Sequence, residues 1–447
     1  MMTGSVTLLD WAVVLGYLAL VVWLGARFGG RQTSSNRYFL GNRTLPGWAI
    51  AMSMFATIIS SWAFLALPGK GFQSDLQHLA VIALIPIAAW LSSRWIVPFF
   101  RDRVKLSAYE YLETRFGIGA RLYGNLAFLV VHFGKMAAIL YLLCLAFAEM
   151  TGWNIFVLIA VVGVSTLVYT FFGGIEGVVW TDVMQGALLL LAGLVSIGFI
   201  LLGAPGGAGA VFDTALEAGK FQLVSAEWAW NRPSTGLLMI FGLNFYFQKY
   251  AADQTVVQRY LLSPSPRQAS RALWMSSILI MLAWVLFMSV GVLLWAYYQL
   301  QPGLLPAELL AKPDKIFPYF IGHALPPGVT GFVLAGLLAA TMSTLSSDLN
   351  SLSAVVLDDY YSKLRPNRSD AHQLAVSRVI VLVAGVLGVF LAMAMTRIHS
   401  MADAAFDFVS LVGGGVLGMY LLGMVTRRGT ARGAAERGLA LGFGVKR

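Results

Sequence analysis

One segment of this chain carries far more oxygen than the sequence around it. The stretch LLAATMSTLSSDLNSLSAVV holds seven hydroxyl side chains between apolar ends. On a helix, Ala340, Ser343 and Thr344 have the i, i+3, i+4 spacing of a single face. The next turn adds Ser346 and Ser347. Hydroxyl and carbonyl oxygens without a full carboxylate suit a weakly held monovalent cation. The alternative is tight helix packing, with each hydroxyl bonded to its own backbone.

A second chemically unusual residue is Lys135, which lies near the middle of the apolar run 122–149. An ammonium at the centre of a bilayer costs about 2.5–3.5 kcal/mol, so it must face a cavity or a partner. The nearest acid on the same run is Glu149, and the partner we predict is therefore the carboxylate of a solute. The alternative is a structural ion pair with another span. Lys249, by contrast, has Asp253 at i+4. Residues predicted to line the solute pocket are Ser60, Ser61, Phe64 and Phe245.

Composition shows that helices in a membrane must position these groups. The chain is 58% hydrophobic and only 12% charged, whereas a soluble domain is about 25% charged. Apolar runs of about 18 residues or more indicate transmembrane helices. The eleven complete spans that hydropathy predicts lie near 6–26, 47–68, 78–100, 122–149, 154–172, 181–203, 236–262, 272–298, 329–357, 376–396 and 403–425. We therefore expect one all-α, polytopic transmembrane domain over 1–447, ending in a cytoplasmic loop and an incomplete last helix over 426–447.

The net charge of +10 follows the predicted topology. With the N-terminus outside, 23 of the 31 lysines and arginines fall in cytoplasmic loops or at their edges, as the positive-inside rule requires. The basic residues therefore indicate a multi-pass protein of the cell (inner) membrane, in contact with the lipid bilayer. They do not indicate a nucleic-acid partner.

Two of the predicted spans contain helix-breaking sequence. The second has ATIISS near its middle, where β-branched and serine residues weaken a helix. The seventh has Gly242 and Asn244 followed by several polar residues. Interrupted helices five spans apart suit an inverted repeat of five plus five helices with a site near the membrane midplane. The alternative for the second span is an ordinary helix with small packing residues.

Four motifs resemble the sodium:solute symporter family, which includes sugar, proline, pantothenate and sialic acid symporters. They are RYFLGNRTLPGWAIAMSMFATIISS, GGIEGVVWTDVMQG, DQTVVQRYL and AATMSTLSSDLNS, in the family's order from residue 37 onward. The resemblance implies a LeuT-like fold. One extra helix (6–26) would precede a first repeat over 47–203 and a second over 236–425.

The resemblance also implies cation sites. The family's main sodium site would correspond to backbone carbonyls of Ala56 and Ile59 together with Ala340, Ser343 and Thr344. Some members hold a second sodium ion. Its matched positions are Asp182, Ser343, Ser346 and Ser347. Asp182 has another interpretation, because an acid in the first turn of a helix is stabilised by the helix dipole. Na⁺ is the expected coupling ion.

The solute is expected to be a small carboxylate. The sialic acid type has a carboxylate-binding arginine at the position of Lys135. Ile58, Ala63 and Ile82 stand where sugar- and sialate-type members have polar residues, so a fairly apolar carboxylate is favoured over a polyhydroxyl compound. The chain is thus interpreted as a sodium-coupled symporter that works by alternating access.

Other functions remain as alternatives. They are a sodium/sugar or amino-acid symporter and the transporter-like sensor module of a signalling protein. A membrane enzyme is disfavoured, because the sequence has no HExxH motif, no nucleophile elbow and no Walker A motif.

Overall fold

The structure is a computed structural model that describes residues 6–224, 234–396, 415–424 and 426. In these ranges the regular structure is helical, with no strand. The α-helices are α1 (Leu8–Ala26), α2 (Ser35–Leu40), α3 (Gly47–Ile58), α4 (Ser61–Gln73), α5 (Ile85–Leu91), α6 (Val97–Arg103), α7 (Glu110–Phe116), α8 (Ile118–Thr151), α9 (Ile155–Gly203), α10 (Gly207–Glu217), α11 (Thr235–Ala252), α12 (Gln254–Leu262), α13 (Pro266–Leu300), α14 (Ala307–Leu310), α15 (Ile316–His323), α16 (Val329–Val355), α17 (Ser362–Leu364), α18 (Asp370–Met395) and α19 (Gly415–Met424).

The interruption predicted in the second span is confirmed. Helices α3 and α4 meet at an angle of 63°. Ile59 and Ser60 between them are extended, and the Ser60 hydroxyl accepts a hydrogen bond from the Trp62 amide to cap α4. The helix therefore ends because two β-branched isoleucines are followed by a strong capping residue. Its last carbonyls lie beyond the reach of an amide in the same helix.

The seventh span is also interrupted, but at a different residue from the glycine and asparagine that suggested it. The break between α11 and α12 lies at Asp253, which is extended (φ −90°, ψ 117°). Its Oδ1 accepts hydrogen bonds from the amide and hydroxyl of Thr255 at 2.9 and 2.6 Å. Gly242 instead allows close helix packing, since a Cβ there would lie 1.7 Å from the carbonyl oxygen of Val81.

The fifth and sixth predicted spans are joined in one long helix, α9. Its backbone departs from helical geometry at Gly174 (φ 52°, ψ −156°). A Cβ at this position would lie 2.9 Å from the carbonyl oxygen of Tyr38, so both the positive φ and the close contact require glycine.

Helix α16, which carries the hydroxyl-rich segment, lies at the centre of the bundle. Its apolar stretch is 89% buried, against 33% for those of α1 and α18. It packs mainly on α9, and also on α1, α8 and α18. The outer helices expose large apolar side chains such as Phe390, as a lipid-facing surface requires. The polar face of α16 is therefore enclosed by protein.

The number of spans stays a prediction. In the described ranges, seven helices are long and apolar enough to cross a membrane, or eight if the bent pair α3–α4 is counted as one. The predicted span 403–425 is described only at its end, as α19, and the segment 427–447 lies outside the described residues.

Candidate functional site

The break in the second span faces the hydroxyl-bearing face of α16. The Ser343 hydroxyl donates to the carbonyl oxygen of Ala56 at 2.9 Å, and it lies 3.3 Å from that of Ala340. The Thr344 hydroxyl reaches the same Ala340 oxygen at 3.2 Å. Four of the five residues expected at the main cation site are thus brought together. The fifth, Ile59, is the buried, extended residue that follows α3.

This arrangement combines neutral oxygens of two kinds from two helices. The carbonyl of Ala56 belongs to the last turn of α3, where no helical amide follows. The hydroxyls of Ser343 and Thr344 are buried, with about 1% of each residue exposed. Such a site holds no fixed charge, so a monovalent cation can bind and still be released.

A second polar cluster lies around Asp182 of α9. One carboxylate oxygen, Oδ2, accepts hydrogen bonds from Ser53 at 2.6 Å and from Ser347 at 3.5 Å. The other, Oδ1, is buried without a hydrogen-bond partner. Ser346 does not join the cluster through its side chain but donates to the carbonyl of Ser343 at 3.1 Å. The expected second set is therefore assembled in part.

The sequence interpretation missed Arg259, which also belongs to this cluster. Its guanidinium is fully buried, with Nη2 at 3.6 Å from Asp182 Oδ2 and at 2.5 Å from the Ser347 hydroxyl. It also donates to Ser53 and to the carbonyl of Thr255. A signal was present in the motif DQTVVQRYL, because an arginine within a predicted span needs a partner. Hydropathy placed it at the cytoplasmic edge instead.

The expectation that Lys135 lacks a carboxylate partner within the protein is wrong. Its Nζ lies 2.8 Å from Oδ1 of Asp348, a fully buried residue of α16. The two residues lie on different helices, α8 and α16, which pack together so that the two side chains meet. The Lys249 Nζ lies 2.6 Å from Asp253, which confirms that predicted pair.

The other predicted solute-pocket residues are divided between two places. Phe245 lies on α11 with its ring 5.9 Å from the ammonium of Lys249. Phe64 is fully buried against Phe287 and Phe317, with ring centroids 5.0 and 5.2 Å away. The break itself contributes Ser60 and Ser61. In this conformation Phe64 is therefore covered by aromatic neighbours.

Comparison with known proteins fits this geometry. Residues 38–442 match the family described as the sodium:solute symporter family. The chain is 35% identical to the sodium/sialic acid symporter NanT of Aliivibrio fischeri over 95% of its own length and 85% of that protein. It is also 35% identical to the sodium/sialic acid symporter SiaT of Proteus mirabilis, over 95% and 86% of the two chains.

Solved structures give the same result. A substrate-bound, outward-open Na⁺-coupled sialic acid symporter, described as revealing a novel Na⁺ site, superposes with a TM-score of 0.89. It is 34% identical, over 95% of this chain and 89% of the other. The nucleobase-cation-symport transporter Mhp1 shares the fold alone, with a TM-score of 0.51 at 18% identity. The all-α, LeuT-like expectation is confirmed, and the relatives are transporters and not enzymes. This multi-pass membrane protein, which uses sodium as its coupling ion, belongs to the sodium:solute symporter family.

Proposed function

We propose that the protein drives uptake of a small carboxylate-bearing solute with sodium, which binds to Ala56, Ile59, Ala340, Ser343 and Thr344. The observation that carries this proposal is the 2.9 Å contact between the Ser343 hydroxyl and the Ala56 carbonyl. The contact joins the bent pair α3–α4 to the central helix α16. A cation held between them would stabilise one relative position of the two elements, which is how ion binding can favour a solute-ready state.

Sodium at this position is consistent with the chemistry of the oxygens. Carbonyl groups freed where a helix is broken can coordinate sodium ions in transporters with interrupted helices. In this structure each Ser343 or Thr344 hydroxyl hydrogen points towards a carbonyl. Each hydroxyl would turn its lone pairs towards the ion when sodium binds.

Ser343→Ala and Thr344→Ala test the main sodium site. Each substitution removes one neutral ligand, and we expect the sodium concentration for half-maximal uptake to rise about tenfold, since one ligand is worth about 1.4 kcal/mol. The measurement is solute uptake into proteoliposomes over a range of sodium concentrations. Ser353→Ala is the matched control, because Ser353 is a buried serine of α16 that donates only to its own helix, at Leu349. Unchanged sodium dependence in both test variants would show that the ion binds elsewhere.

A second sodium ion is proposed at Asp182, with Ser343, Ser346 and Ser347. The unpartnered Oδ1 of Asp182 supports it, because a buried carboxylate oxygen without a donor is costly. The guanidinium of Arg259 lies 3.6 Å from the other carboxylate oxygen of Asp182, Oδ2. An ion at this site would therefore have to bind beside a fixed positive charge. We therefore expect the second ion to bind more weakly than the first.

The solute carboxylate is proposed to bind at Lys135. In the present conformation the ammonium of Lys135 is paired with Asp348. The carboxylate of the solute would replace Asp348 as the partner of this ammonium. Ile58 and Ala63 add apolar side chains beside the break, and Ile82 is a buried apolar residue of the following segment; such residues favour a solute with few hydroxyl groups. Sialic acid, the substrate named for the two relatives, carries the required carboxylate and is the first compound to test, beside smaller and more apolar acids.

The two repeats and the membrane orientation complete the proposal. Segments 47–203 and 236–425 would be inverted repeats, since each begins with a broken span, α3–α4 and α11–α12. The distribution of basic residues supports an N-terminus outside the cell (inner) membrane. Labelling of single cysteines in a Cys144→Ser background would test the orientation.

A further inference from the structure

A cluster of five ionisable side chains joins three helices beside the proposed solute site. His132 and Lys135 come from α8, Asp348 from α16, Lys249 from α11, and Asp253 from the break that follows α11. Lys135 and Lys249 each contact one aspartate, at 2.8 and 2.6 Å. The cluster therefore contains two ion pairs and one imidazole.

His132 lies between the two aspartates. Its Nδ1 is 2.8 Å from Asp348 Oδ1, and its Nε2 is 3.6 Å from Asp253 Oδ2. A neutral imidazole has one N–H and one bare lone pair, so it can donate to only one of these carboxylates. An imidazolium donates at both nitrogens. In this geometry the ring nitrogen of His132 that carries no hydrogen can therefore accept one additional proton.

Among the residues that the structure describes, the other groups near His132 are already paired or uncharged. Arg259 is near both aspartates but is already held by Asp182 and Ser347. The phenol of Tyr109 is close to Asp253 and stays neutral near pH 7. On α8 itself, the ring of Phe128 packs on His132 at 4.1 Å and carries no charge.

Charge balance then links the solute to a proton. With a neutral imidazole, the two lysines and two aspartates sum to zero. A solute carboxylate at Lys135 adds one negative charge, and an unbalanced charge in a buried site is expensive. Asp348, displaced from Lys135, would keep only His132 as its partner, while its Oδ2 has none at all. A proton on His132 would restore neutrality. It would also give Asp348 a positively charged partner in place of Lys135.

We propose that each solute carboxylate enters together with one proton, which His132 holds between Asp348 and Asp253. The proton comes from hydronium in the solution on the entry side: one O–H bond breaks, an N–H bond forms at the free ring nitrogen, and water is left. When the solute leaves on the other side, the N–H bond breaks and the proton returns to water there. This inference rests on the proposed function, because it requires a carboxylate at Lys135. Transport would then be coupled to one proton in addition to the sodium ions.

Binding measurements on the purified protein test the linkage in saturating sodium. With sialic acid as the probe and the pH varied from 6 to 8, we expect the Kd to rise with pH, by up to about tenfold per unit, because one proton binds with each anion. His132→Gln should bind at every pH as weakly as the wild type does at pH 8. The methyl ester of sialic acid, which has no carboxylate, should show no such slope. A pH-independent Kd in the wild type would overturn the proposal.

Transport provides the second readout. Proteoliposomes that contain a trapped pH dye should acidify inside when sialic acid enters with sodium, and His132→Gln should take up the solute without this acidification. Protein-free liposomes measure leakage of the free acid. Sodium-driven uptake without proton movement in the wild type would contradict this inference alone. Failure of sodium to drive uptake of any carboxylate would contradict the proposed function.

Discussion

Lys135→Met is expected to abolish sodium-driven uptake of the carboxylate solute, with a loss of at least about 100-fold. The substitution removes the charge that the carboxylate contacts, and a charge-assisted hydrogen bond is about twice as strong as a neutral one. Sodium should still protect the variant against thermal unfolding, because none of the proposed sodium ligands is Lys135 or another residue of α8. Lys135→Arg should retain partial transport with altered selectivity. The guanidinium keeps the positive charge, but it is planar and donates hydrogen bonds in a different geometry from the compact ammonium.

The ion pair with Asp348 makes a matched control necessary. Lys135→Met leaves a fully buried aspartate without its lysine, which can cost about 3–5 kcal/mol of stability. The double variant Lys135→Met/Asp348→Asn removes both charges and should recover most of the lost stability. If Lys135 binds the solute, the double variant remains inactive. Normal transport by the stable double variant would show that Lys135 serves only the ion pair.

Arg259→Met is expected to destabilise the protein by about 3–5 kcal/mol and to make its stability depend strongly on sodium. The substitution leaves Asp182 buried with hydroxyl donors alone, and an unpaired buried charge carries that order of cost. A sodium ion could then take the place of the guanidinium. The measurement is thermal unfolding over a range of sodium concentrations, with potassium as the control ion.

Asp182→Asn tests the same cluster from the acidic side. It removes the charge that a second sodium ion needs, so the ratio of sodium to solute, measured as a reversal potential in proteoliposomes, should fall from two to one. The double variant Arg259→Met/Asp182→Asn should be more stable than Arg259→Met and lose its extra response to sodium. A wild-type ratio of one would refute the second sodium site.

Much of the fold and of the main site could be predicted from the sequence, because the signals are local. The break at ATIISS depends on neighbouring β-branched and serine residues, and the shared face of Ala340, Ser343 and Thr344 follows from helical spacing. The pair of Lys249 and Asp253 is four residues apart on the chain. Each of these features needs only short stretches of sequence.

The errors have a common physical origin in contacts between distant segments. Asp348 and Lys135 lie on different helices, and their depths depend on how α8 and α16 cross. Arg259 belongs to the Asp182 cluster because α12, which follows the break at Asp253, is buried throughout and packs on α3 and α16. Neither contact leaves a periodic trace in the sequence, so neither could be predicted from hydropathy or helical spacing.

The most direct test of the central claim is uptake of radiolabelled sialic acid and smaller carboxylates into proteoliposomes under an inward sodium gradient. We expect accumulation above equilibrium with sodium but not with potassium, and a higher sodium requirement in Ser343→Ala than in Ser353→Ala. Equal uptake with potassium, or accumulation of neutral sugars alone, would contradict it.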